Sequence, residues 1–140
     1  LRGKIKNPEF EKSDNKTRIM LQKTIPIIRI FDLQKAKEFY INWLGFEVTF
    51  EHQFEPDTPY YIGIKRDDIE FHLSEHHGDS VPGVRVFIIC NEIEKYFAEL
   101  QSRPYKYYRP SLNKTFYGTL ELLVQDPFGN KLFFNEYIKK

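Results

Sequence analysis

At 140 residues, with 41% hydrophobic and 16% aromatic side chains, the chain suits one domain or two small packed modules and has ample material for a core. Residues 1–19 hold six Lys/Arg against three Asp/Glu, so +3 of the net +1 lies there and the remainder carries −2; without a basic stripe interleaved with aromatics, the folded part excludes nucleic acid as main partner. Apolar runs such as "VFIIC" are far shorter than the ~20 residues that cross a bilayer, no signal-peptide pattern precedes them, and the single Cys90 forms no intrachain disulfide, which together predict a soluble, cytoplasmic protein without a membrane partner.

The first 19 residues are polar and unpatterned and read as an extension or appendage outside the core. Regular patterning begins with "TIPIIRIF", a β-branched strand, followed by "DLQKAKEFYINWL", whose Leu33, Ala36, Phe39, Tyr40 and Trp43 recur at helical spacing. Asp32 is placed to cap that helix and Gly45 to end it. Three strands follow: "FEVTFEHQF", then "YYIGIK" after Pro56 and Pro59, then "IEFHLSE" after the "RDD" turn.

A loop, "HHGDSVPG", leads into a second pass through the same order: strand "VRVFIIC", helix "NEIEKYFAELQSR", and strands near 105–109, 118–125 and 131–137. "IFDLQKAKEFY" matches "ICNEIEKYFAE" and "IEFHLSE" matches "KLFFNEY" in kind and order, which predicts an internal duplication at a period of roughly 60 residues. The expected architecture is α+β: two βαβββ modules, 20–77 and 78–140, with curled antiparallel sheets enclosing a cavity and helices outside. Small-molecule sites favour clefts between such modules.

Strand alternation places Arg29 with Ile27, Glu70 with His72 and Ser74, Arg85 with Phe87, and Phe133 with Asn135 toward that cavity, and Tyr117 and Gly118 border it. Two arginines and a carboxylate in one cleft form either a self-satisfying buried network or a clasp for a ligand carboxylate or phosphate. His72, His76 and His77 lie near Glu75 and Asp79, but His72 and His76 stand roughly 13 Å apart on an extended strand at ~3.3 Å per residue. An exposed loop therefore accounts for "HLSEHHGD" better than a metal site does. "RPYKYYRP" reads as a protected edge strand or a pocket lip. The sequence carries no G-x-S-x-G, no partner for Cys90 and no glycine-rich phosphate loop before a helix, so no catalytic residue is assigned.

"IRIFDLQKAKEFYINWLGFEV" together with "DPFGNKLFF" resembles the vicinal oxygen chelate superfamily of glyoxalases, ring-cleaving dioxygenases, fosfomycin-modifying enzymes and bleomycin-binding resistance proteins, over about residues 24–137. The resemblance implies paired βαβββ modules and a homodimer, sometimes with exchanged strands. It also implies four cavity-facing metal positions, which fall by offset on Ile25, Glu70, Arg85 and Phe133. Of these only Glu70 is a metal donor, so no metal or other cofactor is expected. The metal-free bleomycin resistance type is then the nearest match, a protein that sequesters a drug at a dimer interface without catalysis. Its ligand offers flat bithiazole rings for stacking and a cationic tail. Arg29, Glu70, His72, Arg85, Phe87, Tyr117, Phe133 and Asn135 are the expected ligand-binding residues. The alternative is a lyase or dioxygenase of the same superfamily with an altered metal site around Glu70 and the histidines.

Overall fold

The computed structural model describes residues 17–105 and 109–139. Strand β1 (Ile27–Arg29) leads into helix α1 (Leu33–Lys37), which widens into a π-helical segment, Glu38–Trp43. Strands β2 (Glu47–Gln53), β3 (Tyr60–Arg66) and β4 (Ile69–Ser74) complete the first βαβββ unit. The second repeats it: β5 (Arg85–Ile89), helix α2 (Ile93–Ser102), β6 (Ser111–Lys114), β7 (Thr119–Gln125) and β8 (Lys131–Tyr137). Each unit forms a four-stranded sheet, ordered β1-β4-β3-β2 and β5-β8-β7-β6. Both sheets are mixed, because β1 joins β4 and β5 joins β8 in parallel while the other pairs run antiparallel. A strand that returns through a helix re-enters its sheet parallel, a constraint that hairpin signals alone do not display.

The duplication is visible in matched capping contacts. The Asp32 side chain accepts from Lys35 N at 3.0 Å at the start of α1, and Glu75, at the end of β4, accepts from Leu33 N at 3.0 Å and from Tyr60 N at 2.9 Å. In the second unit Glu136 of β8 accepts from Glu92 N and Ile93 N at the start of α2. A carboxylate from the last strand of each sheet thus meets the positive end of its own helix. Registers agree: Ile27 lies opposite His72 and Phe87 opposite Phe133.

The helices and the sheet faces beneath them share one core. Ile28, Ile62, Ile64, Phe71 and Leu73 from the first sheet pack with Phe39, Tyr40 and Trp43, continuous with Ile88, Leu122, Val124, Leu132 and Phe134 of the second. Each such side chain contributes roughly 1.5–3 kcal/mol of transfer free energy. The helical spacing expected over 32–44 is met only as far as Lys37. Beyond it, Leu44 N bonds to Phe39 O and Phe46 N to Tyr40 O, an underwound, wider register that buries Phe39, Tyr40 and Trp43 together. Gly45 ends the segment at φ +86°, and a Cβ there would meet the Arg66 guanidinium at 2.3 Å.

The signature "DPFGN" is a structural knot. Asp126 Oδ1 accepts from Phe128 N and Asn130 N, and its Oδ2 accepts from Tyr40 OH at 2.8 Å and Asn130 Nδ2. Asn130 Nδ2 also donates to Arg29 O, and its Oδ1 accepts from Gly83 N and Val84 N. One turn therefore pins β1, the entry to β5 and the first helix. Burial pushes the Asp126 carboxyl above its ordinary range even though Asn130, Tyr40 and two backbone amides all pull it down.

The strand expected near 105–109 falls largely outside the described residues, and the outermost described strand of the second sheet is the one that follows it. Residues 106–108 fall outside the described residues, their flanks 104–105 and 109–110 are irregular, and the edge strand is Ser111–Lys114. Pro104 and Pro110 lie on either side of the undescribed residues, and neither has an N–H for a ladder.

Candidate functional site

The sheet faces turned away from the helices carry the unassigned chemistry. In the second sheet Phe134 and Leu132 point to the core, so Phe133 and Asn135 point the other way, joined by Arg85, Phe87 and Ile89 of β5 and by Thr119 and Glu121 of β7. The Arg85 guanidinium lies over the Phe133 ring at 4.3 Å. Phe87 is 50% exposed and meets Tyr117 at 6.4 Å between centroids. This is an open aromatic platform carrying one cation.

Beside it lies a polar row. Thr119 Oγ1 donates to Asn135 Oδ1 at 2.6 Å, while Asn135 Nδ2 donates to Glu121 Oε2 and to Phe133 O. Tyr117 OH donates to the same Glu121 oxygen at 2.7 Å, which raises the Tyr117 pKa chiefly through that hydrogen bond. Asn135 is fully buried. Its amide therefore orients Glu121 and Thr119, two residues that the sequence reading passed over. Alternation along β7, in register with Asn135, is the signal that finds them.

On the first sheet His72 faces outward between buried Phe71 and Leu73, and its Nδ1 lies 2.8 Å from Tyr61 OH. Glu70 pairs with Lys23 at 2.7 Å and lies 4.0 Å from His72 Nε2. Its pKa is lowered, first by the Lys23 hydrogen bond. Arg29 is buried, with Nη1 donating to Ile30 O and Ser74 O and its guanidinium over Phe31 at 4.4 Å. Among the described residues no hydrogen bond or ion pair joins Arg29 or Glu70 to Arg85.

The strand registers also refine the four inferred metal positions. Phe133 lies opposite Phe87 as His72 lies opposite Ile27, so the duplication makes His72, two residues beyond Glu70, the counterpart of Phe133. The set then reads Ile25, His72, Arg85 and Phe133. Among the described residues no three of His, Cys, Asp and Glu converge as a ligand group. No helix of the described residues is long and apolar enough to cross a membrane.

The first sheet holds a further cavity of about 430 Å³, lined by Phe50, His52, Phe54, Tyr61, His76 and Asp79. A larger cleft of about 760 Å³ opens between the β3–β4 turn and the start of α2, lined among others by Asp67, Asp68, Cys90 and Lys95. Burial raises the Cys90 thiol pKa, with the Glu136 charge adding to it, which disfavours the thiolate form.

Comparison with known proteins gives a consistent family. The sequence model of a family described as glyoxalase superfamily protein matches residues 11–140. No curated protein sequence matches. Among solved structures, a bleomycin-binding protein complexed with bleomycin superposes with TM-score 0.65 at 16% identity, over 83% of this chain and 98% of that one. The bleomycin-binding protein from bleomycin-producing Streptomyces verticillus, complexed with copper(II)-bleomycin, gives 0.65 at 21% identity, over 87% and 99%. TnmS3, an antibiotic binding protein from Streptomyces sp. CB03234, gives 0.62 at 20% identity, over 85% and 99%. At these identities the likeness is one of fold.

Proposed function

We propose, from the premise that the chain belongs to the glyoxalase superfamily, that it is a non-catalytic binder of an aromatic small molecule, of the kind that bleomycin-type antibiotics represent. The observation that carries this reading is the platform of Phe87, Phe133 and Tyr117 on the helix-free face of the second sheet, with Arg85 stacked on one ring. Flat heteroaromatic rings gain stacking and burial on such a surface. Glu121, held by Asn135 and Tyr117, supplies a fixed acceptor beside it. The shared fold with two bleomycin-binding proteins and an antibiotic binding protein supports the ligand class.

One chain leaves this face open. Phe87, Ile89 and Tyr137 are each at least half exposed, while Ile27 on the first sheet is 39% exposed. A second copy that covers the platform closes it into a cleft and removes that apolar surface from water. The ligand then sits between subunits, with Phe133 and Phe87 from one and the Tyr61–His72 face from the other.

Calorimetric titration of metal-free bleomycin into the protein tests the reading, with Phe133→Ala in parallel. Saturable binding near one drug per subunit is expected, weakened about tenfold by loss of the ring. Absence of heat at high micromolar drug, or equal affinity in the variant, contradicts it.

A further inference from the structure

The 430 Å³ cavity on the first sheet is built from rings. Phe50 and Tyr61 lie 6.2 Å apart at 20°, and Phe54 stands perpendicular to His52 at 4.3 Å and to His76 at 5.7 Å. Among the described residues, five of its six lining residues are aromatic or imidazole, the sixth is Asp79, and none is Lys or Arg. Asp79 is held in place by Ser74 Oγ, which donates to its Oδ2 at 2.6 Å. Tyr61 is fixed through its hydroxyl to His72. The Tyr61 pKa is raised by burial first and by the Asp79 charge second, so ring and carboxylate share the same space. His76 Nε2 is buried without a hydrogen-bond partner among the described residues.

Two features of the backbone make this arrangement. Strict alternation along β2 would set Phe50 and His52 on the same face as Val48, toward the core. A β-bulge intervenes: Val48 pairs with Ile64 and Phe50 with Gly63, so one extra residue, Thr49, reverses the phase. Phe50 and His52 thereby cross to the helix-free face, opposite Gly63 and Tyr61. Gly63 is the second feature, since a Cβ there would stand 2.3 Å from the Phe50 ring and 2.6 Å from Thr49 Oγ1. The absent side chain lets Phe50 lie over β3.

We infer that this cavity is a site for a small organic cation of the quaternary ammonium class. Ring faces present the negative side of their quadrupoles to a cation within about 6 Å. A single fixed carboxylate supplies the countercharge without the hydrogen-bond fork that a guanidinium or primary ammonium requires. The alkylated head is weakly hydrated, so contact with the rings removes part of its water at little cost. The site rests in part on the proposed function, because Tyr61 also belongs to the face that would meet the platform of a second copy, but its described lining comes from the first sheet and the loop after it, so choline can be titrated without bleomycin.

The test compares choline with its uncharged isostere 3,3-dimethyl-1-butanol, by two-dimensional amide NMR titration of the full chain. Choline is expected to shift amides of residues 50–54, 61 and 76–79 and to bind about tenfold more tightly than the neutral probe. Asp79→Asn and Phe54→Ala are each expected to weaken choline binding several-fold. Phe54 is 70% exposed, so its truncation leaves the core intact and reports on the site alone. Gly63→Ala, which displaces the Phe50 ring, is expected to do the same. Equal binding of the two probes, shifts elsewhere, or no saturation by choline overturns the inference.

Discussion

Glu99 joins the two halves at the scale of single side chains. It accepts from Arg66 Nη1 at 2.7 Å and from Arg103, while Arg66, Tyr96 and Arg103 donate to Leu44 O and Trp43 O, the orphan carbonyls where the first helical segment ends. The Arg66 hydrogen bond, then that of Arg103, holds the Glu99 carboxyl at a pKa of about 2. A carboxylate depressed in the folded state contributes stability above its unfolded pKa, which is lost as pH falls toward the folded value. The contribution is therefore full above about pH 4.5 and lost between there and about 2. Glu99→Gln is expected to lower unfolding free energy by about 1–2 kcal/mol at neutral pH and to flatten the acid limb across that window, as read by urea melts at several pH values. Asn130 is the second such residue. Asn130→Ala strips the acceptor from Gly83 N and Val84 N and the donor from Arg29 O, so a loss of about 2–4 kcal/mol is expected in the same melts.

Elements were legible where their cause is local. Asp32 caps α1 through a contact three residues away, and Gly45 stops the segment because φ +86° favours glycine. The repeat was legible as well, since each unit needs the same apolar alternation to bury the same faces. What stayed hidden depends on partners distant in sequence. The bulge at Thr49 is a property of the β2–β3 pair, and β2 alone reads as unbroken alternation. The π-helical widening answers the packing of Trp43, whose Nε1 donates to Leu100 O and whose ring stacks on Tyr105 at 4.9 Å. Alternation did identify outward-facing candidates, but it cannot say that Arg29 is held by main-chain carbonyls of its own sheet. Element capping offers its own check: Glu136→Gln removes the charge at the start of α2 and is expected to cost about 1 kcal/mol, by thermal melt, with the sheet intact.

At the scale of the whole molecule, the helices close one side of each sheet and leave the other to a ligand, a second copy, or both. Apolar side chains concentrate on that open side of the second sheet, where Ile89 is 62% and Phe87 50% exposed. Charge placed there disfavours association without touching the core, so Ile89→Asp is expected to shift the sedimentation profile from dimer to monomer while the thermal melt of the monomer stays cooperative. The two units differ on their open faces. The first sheet carries the ring-lined cavity made by the bulge, and the second carries the Arg85–Phe133 platform.

Native mass spectrometry of the untagged chain with and without bleomycin addresses association and ligand together. A species of two 16.9 kDa chains that takes up two drug molecules, with uptake at a given drug concentration lowered by Phe133→Ala, is the predicted result. A monomer that carries no drug at any concentration compatible with folding contradicts the shared-cleft account.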